Sequence, residues 1–307
     1  MTETARGHLA MLLFSALVAG SFTLGSLAAN ELDPTVLNAA RFILAMCIVG
    51  AVALATTGIN REAFRAPWRY LLLGGLFASY FVLMFEGLKT APPVSAAAVF
   101  TLVPVMAAVF GWLLLRQAIT GRIVLALSIG AVGALWVIFR GDPRLALSLD
   151  VGRGEAVYFV GCVAHAAYTP LVRKLNRGEP AVVFTFGMLV AGAVLLTVIA
   201  WPGIVATQWG ELPTIVWITI GYTAVFASAA TFVLMQYATM RLPSANVMAY
   251  TYLTPGWVIV WEAVRTGQLP PPWISGGILL TGIALFMLLT KKNTAARENK
   301  SKVAVSR

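Results

Sequence analysis

The sequence predicts an all-α integral membrane protein, with about ten transmembrane helices arranged as two inverted five-helix repeats. Three observations lead there. Of the 307 residues, 59% are hydrophobic and only 11% charged, with a mean hydropathy of +0.84, whereas soluble globules carry about 25% charged residues. Lipid is therefore the solvent. About ten apolar runs approach the roughly 20 residues that a helix needs to cross about 30 Å of hydrocarbon. They lie near 8–29, 34–56, 69–88, 93–115, 121–139, 154–173, 181–201, 213–238, 244–264 and 272–290. Finally, Phe81-Val82-Leu83-Met84 recurs as Phe232-Val233-Leu234-Met235, and the same offset of 151 carries Pro92 onto Pro243, Pro104 onto Pro255 and Gln117 onto Gln268. Such a register marks a duplicated unit.

Taken in order, the first run (8–29) ends in Ser26-Leu27-Ala28, which imitates a signal cleavage site, but its removal would leave an odd helix count. Asn30-Glu31-Leu32-Asp33-Pro34, Gly141-Asp142-Pro143, Gly178-Glu179-Pro180 and Pro270-Pro271-Pro272 are connectors that suit antiparallel neighbours. The alternating ten-residue segments of a barrel are not seen. Pro34 matches Pro180 and Phe22 matches Tyr168 at an offset of 146, so about five residues were gained between the second and third helices. The repeats are placed at 8–140 and 152–290, followed by a basic cytoplasmic tail, 291–307. A unit with an odd number of spans enters the bilayer the opposite way the second time. Two such units can open one midplane site to either side in turn.

The net charge of +10 is distributed in a way that excludes nucleic acid as its partner. With a cytoplasmic amino terminus, 16 Lys and Arg fall inside (Arg6, Arg61, Arg65, Arg69, Arg116, Arg122, Arg173, Lys174, Arg177, Arg241 and six in the tail). Five fall outside, and Arg41 lies within a helix. That asymmetry predicts both termini in the cytoplasm and the tail against anionic headgroups; the bacterial inner membrane is the expected location. Cys47 and Cys162 read as small buried hydrophobes with no disulfide framework or metal site. No nucleotide motif, metal cluster or cofactor signature is expected. Only His165 among the His, Asp, Glu and Cys residues lies near mid-membrane, so the chain is not expected to be an enzyme.

Ionisable groups at mid-membrane cost about 2.5–3.5 kcal/mol each on insertion scales, so each needs a reason. Arg41, two turns into the second helix, either snorkels to the outer surface or pairs with Glu86 near the outer end of the third helix as a gate. His165 precedes Tyr168 by three residues and shares its face, where it is a satisfied polar contact, a donor to substrate or a proton-linked group. In the ninth helix Asn246, Tyr250, Thr254, Trp257 and Trp261 step by four, four, three and four, a polar and aromatic stripe that hydrocarbon would not satisfy. Asn38, Tyr80 and Gln236 extend it to a pocket of aromatic planes and amide donors. Pro104 and Pro255, inside the fourth and ninth helices, are expected as paired kinks, hinges or ligand-facing turns. Small residues at Ala126, Gly130 and Ala134, with Gly277 and Thr281, leave intramolecular packing and a homodimer both open.

Gly87-Leu88-Lys89-Thr90-Ala91 through Ser95-Ala96-Ala97-Ala98, then Leu102-Val103-Pro104 and Trp112-Leu113-Leu114-Leu115, echoed by Leu242-Pro243-Ser244-Ala245 and Leu253-Thr254-Pro255, resemble the drug/metabolite transporter superfamily in its EamA-type ten-helix form. The resemblance implies helices one to four and six to nine around a central cavity, with the fifth and tenth peripheral. Two departures stand out. Gln117 and Gln268 occupy positions where the family often has Glu, with Gly only at Gly267, and the first helix reads Ala19-Gly20-Ser21-Phe22 without the frequent Trp-Gly. The expected function is secondary transport of a small, mostly neutral aromatic metabolite, riboflavin uptake being the leading substrate reading because the chain looks similar to bacterial riboflavin transporters. Export of amino acids or related metabolites is the alternative, in which Arg41 would bind a carboxylate.

Overall fold

The computed structural model describes residues 2–139, 141–142, 144 and 151–289; the basic tail lies outside them. Ten helical spans succeed one another: α1 (Glu3–Ala28), α2 (Pro34–Thr56), α3 (Trp68–Leu88), α4 (Pro93–Leu115), α5 (Gly121–Ile138), α6 (Arg153–Leu175), α7 (Ala181–Ala206), α8 (Thr214–Thr239), α9 (244–266) and α10 (Ile274–Leu289). No strand occurs among the described residues. Seven spans are long and apolar enough to cross a membrane, and α10 is a shorter apolar helix. We call the end of the bundle that carries Glu3 the N face and the other end the far face.

Connector chemistry sets where spans begin. Asp33 accepts hydrogen bonds from the backbone N–H groups of Thr35 and Val36 (2.8 and 3.2 Å), with Pro34 in the first turn of α2. Pro92, Pro180, Pro213 and Pro243 cap α4, α7, α8 and α9 in extended backbone. Proline suits these starts because its missing N–H would have had no intrahelical acceptor there.

The expected kinks in α4 and α9 prove to be breaks. The first part of α4 stops at Phe100 and the second begins at Val103, with Pro104 in its first turn. In α9, Ser244–Met248 gives way to a 3-10 segment, Ala249–Leu253, before Thr254–Thr266, with Pro255 in its first turn. Each proline therefore starts a half-helix deep in the bundle, where it interrupts no hydrogen-bond ladder. A third irregularity is a π turn, Val225–Ala230, within α8.

The packing maps onto itself when the two halves are exchanged. α3 packs on α6 and α8 on α1; α4 packs on α6 and α9 on α1; α3 meets α7 as α8 meets α2. The pairs α2 with α7, α4 with α9 and α5 with α10 are their own counterparts. That is the pattern of an inverted repeat about an axis in the membrane plane. Lipid gives helices no hydrophobic reason to associate, so close backbone approach must supply the attraction. The α5–α10 pair shows it: a Cβ on Gly133 would meet the Gly277 carbonyl at 2.8 Å, and one on Gly277 the Gly133 carbonyl at 2.7 Å. Cys162 is buried, whereas Cys47, expected to be buried too, lies on an exposed face of α2.

At the N face the halves are tied by a buried ion pair. Arg69 Nη2 of α3 lies 2.7 Å from Glu179 Oε1 in the α6–α7 connector, while Nη1 donates to the Leu175 carbonyl at 2.6 Å. Burial alone would raise the Glu179 carboxyl, but hydrogen bonds from Arg69 and from the Arg177 backbone N–H hold it below its ordinary value. A second tie joins Gln117, just past α4, to the start of α9: its Oε1 accepts the Ser244 N–H at 3.2 Å and its Nε2 donates to Ser244 Oγ at 3.3 Å. The turn that presents Gln117 is left-handed at Arg116 (φ 52°), and its counterpart in the second half is Gly267 (φ 69°). Only glycine adopts that region without strain. Arg116→Gly is expected to raise stability by about 1 kcal/mol, read as a higher unfolding midpoint in detergent; an unchanged or lower midpoint would show that the turn stores no strain.

Candidate functional site

The repeated tetrapeptide places its two phenylalanines against each other. Phe81 of α3 and Phe232 of α8 stack with centroids 5.8 Å apart and planes 14° from parallel. Two equivalent residues in contact must straddle the pseudo-two-fold axis, so this stack marks the centre of the molecule. Phe77 meets Phe232 edge-on at 4.4 Å and Tyr168 at 4.0 Å, and His165 lies 4.4 Å from Tyr80 and 5.3 Å from Phe100. α3, α4, α6 and α8 thus enclose an aromatic cage, all of it buried.

Polar atoms of these rings, and of α8 next to Phe232 in sequence, are left without partners. Both ring nitrogens of His165, the Tyr168 hydroxyl, the Thr231 hydroxyl and both amide atoms of Gln236 are buried and unbonded. Gln236 stands one turn from Phe232 on the same face of α8. A buried unsatisfied polar group costs about 1–3 kcal/mol, and native proteins hold few of them. Those of His165 and Tyr168 belong to the ring cluster and make it the candidate ligand site. The α9 segment contributes further orphaned hydroxyls at Thr251 and Thr254.

Arg41 is fully buried against the same centre. Its Nε donates to Ser228 Oγ at 2.7 Å and its Nη2 to the Ala227 carbonyl at 2.8 Å, both in the π turn of α8. Nη1 reaches Asn38 Oδ1 at 3.4 Å, and the guanidinium lies over the Phe81 ring, 3.5 Å from its centroid. The expected partner was Glu86. Instead Glu86 pairs with Lys89 at 2.6 Å, partly exposed at the far face. Arg41 does not snorkel either, because the π turn offers its donors acceptors inside the bundle.

Other expected residues are dispersed. Tyr80 joins the cage, its hydroxyl 3.0 Å from that of Tyr158. Asn38 donates to the Pro34 and Phe81 carbonyls at 2.8 and 3.4 Å, bracing Arg41. The α9 stripe does not hold to one face, since a 3-10 segment turns every three residues and rotates the half-helix beyond it. Asn246 points to the Leu288 carbonyl of α10 (3.4 Å), Tyr250 bonds His8 of α1 (3.0 Å) and Trp257 bonds Ser15 of α1 (3.3 Å). The sequence reading missed Phe77, Phe100, Ser228 and the Arg69–Glu179 tie. Only Phe81 and Phe232 carried a signal, the repeat itself.

The chain matches the EamA-like transporter family over residues 5–139 and again over 152–290. It belongs to that family. Similar proteins include an uncharacterized transporter, YyaM, of Bacillus subtilis, 27% identical over 81% of this chain and 82% of its own. A probable terminal-alkyne amino-acid exporter of Streptantibioticus cattleyicolor is 28% identical over 82% of each chain, and an S-adenosylmethionine/S-adenosylhomocysteine transporter of Chlamydia muridarum is 24% identical over 81% of this chain and 82% of its own. A solved crystal structure aligns over 94% of this chain and 97% of its own with a TM-score of 0.69 at 20% identity, the same fold. The protein is a multi-pass membrane transporter rather than an enzyme.

For an EamA-like transporter the orphaned groups should matter to transport and not to folding. His165→Phe is expected to keep or raise the unfolding midpoint, by the equivalent of about 1 kcal/mol, while substrate exchange in liposomes is lost. Exchange at the wild-type rate would remove His165 from the site.

Proposed function

We propose that this protein is a secondary transporter that carries amino-acid-like metabolites with a flat or unsaturated side group, by alternating access, across the bacterial inner membrane with both termini cytoplasmic. The observation that carries this reading is the buried aromatic cage whose His165 and Tyr168 polar atoms lack partners, with the unbonded Gln236 amide one turn from Phe232 in α8. Aromatic planes take a flat group by stacking and edge contacts, and a ligand that supplies a few donors and acceptors relieves the orphaned atoms. Sealed within protein, the cage corresponds to an occluded stage of the cycle. The breaks before Pro104 and Pro255, at equivalent points of the halves, serve as hinges, and Glu86 with Lys89 lies where a far-face gate would close.

Two named relatives support the substrate class, since one is described as a probable terminal-alkyne amino-acid exporter and the other as an S-adenosylmethionine/S-adenosylhomocysteine transporter. Export is accordingly the preferred direction. Riboflavin uptake is the second reading: an isoalloxazine ring would stack in the cage while the Gln236 amide read its edge. It leaves Arg41 without a negative partner, which is why it comes second.

Counterflow in liposomes separates the two. Vesicles preloaded with L-phenylalanine should draw in labelled L-phenylalanine, and external riboflavin at equal concentration should not compete. Riboflavin exchange with no amino-acid exchange would reverse the order.

A further inference from the structure

We infer that Arg41 is a carboxylate site whose resting partner is the π turn of α8, so that an arriving carboxylate takes the guanidinium from Ala227 and Ser228 and frees α8 to move; the inference rests on the carrier reading above. Its first support is charge. Arg41 is completely buried, and no Asp or Glu of the described residues lies within ion-pair distance of it. It is held by a hydroxyl, a carbonyl, a long amide contact and a ring face. Neutral dipoles can solvate a guanidinium, but a carboxylate suits its fork better, through two parallel charge-assisted hydrogen bonds.

The second support is symmetry. At the offset of 146 that relates α2 to α7, the counterpart of Arg41 is Gly187, which packs against the Tyr70 ring. The equivalent of the π turn, at the offset of 151, is the stretch 74–79 of α3, which is unbroken α-helix. The inverted frame therefore does not require either the cation or the widened turn. They occur together, once, and they touch.

Position supplies the third. Phe81 is a wall shared by Arg41 and the cage, because the guanidinium lies over the ring that also stacks on Phe232. A ligand with its flat group in the cage and its carboxylate one side-chain length away would reach Arg41. Since Arg41 belongs to one half and the π turn to the other, exchanging Ser228 and Ala227 for a carboxylate breaks a link between the moving parts. Binding and motion are then coupled by competition for one set of donors, and π turns are a recurring place for such adjustable register.

The test uses the full chain in liposomes with L-phenylalanine and L-phenylalaninamide, which share ring and amine and differ in the carboxylate. In the wild type the acid should compete in counterflow at least about tenfold better than the amide. Arg41→Lys should abolish that preference. Ser228→Ala should raise apparent affinity for the acid severalfold, because a competing acceptor is gone; a purely structural Ser228 would leave affinity unchanged or lower, and either result overturns the proposal. Should Arg41→Lys fail to fold, Ser228→Ala carries the test alone. Hydrogen exchange across 225–231 should quicken with the acid and not with the amide, and equal response to both also overturns it. Equal exchange of acid and amide removes the Arg41 site and leaves the carrier standing, whereas exchange of neither compound nor riboflavin removes both.

Discussion

Hydrocarbon offers no hydrogen bonds, and this constraint governs the structure from its composition to its centre. Every polar atom within a span must find a partner in the protein or keep one waiting for a ligand. Several threonines and serines in the spans solve the problem locally, as Thr101 does by donating to the Ala98 carbonyl at 2.6 Å and Thr223 to the Thr219 carbonyl at 2.6 Å. Arg41 solves it across the two halves. His165, Tyr168 and Gln236 are among those that do not solve it at all, and the first two lie within the cluster of aromatic rings.

The frame is symmetric and its lining is not. Helix pairings exchange cleanly between halves, and Phe81 and Phe232 meet on the axis. Around that axis, however, Phe77, Tyr80, His165 and Tyr168 have as their counterparts Ser228, Thr231, Ala19 and Phe22. Gln236 stands opposite Phe85. One side is a bank of four rings, whereas the other keeps a single ring, Phe22, beside small or hydroxyl side chains. Such a division fits two separate demands: alternating access needs equivalent scaffolds, whereas recognition of an unsymmetrical molecule needs a lopsided pocket.

Much of this was legible in the sequence because repetition and apolar length survive translation into structure unchanged. The ten spans and the family come from apolar length and local motifs, which can be read one helix at a time. What escaped depends on how helices meet. The Arg41–Glu86 pair was drawn from depth alone, yet depth says nothing about which neighbour a long side chain faces, and the π turn that captures Arg41 has no signature in Val225-Phe226-Ala227-Ser228-Ala229-Ala230. The α9 stripe failed for a related reason. Its spacing assumed 3.6 residues per turn through Ala249–Leu253, where the chain winds at three. Arg69 was counted as one more positive-inside residue, though it is buried and bound to Glu179.

A frame with perfect two-fold symmetry would make its two end states equal in energy, so any resting preference must come from ties that the symmetry does not repeat. Two lie at the N face, beside the more exposed Glu3–Arg241 pair at 2.7 Å. Arg69 and Glu179 correspond to Ile220 and Asp33, which form no pair, and Gln117 and Ser244 correspond to Gln268, which is exposed, and Pro93. The far face uses a different link, Ser95 Oγ donating to Glu155 Oε1 at 2.8 Å between α4 and α6, whose counterparts Asn246 and Leu9 do not meet. Breaking a buried Arg–Glu pair strands two charges, whereas opening a hydroxyl–carboxylate contact strands one charge and a group that water readily solvates. The ties at the two faces therefore differ in what their breaking would strand, a difference that the two-fold frame does not impose.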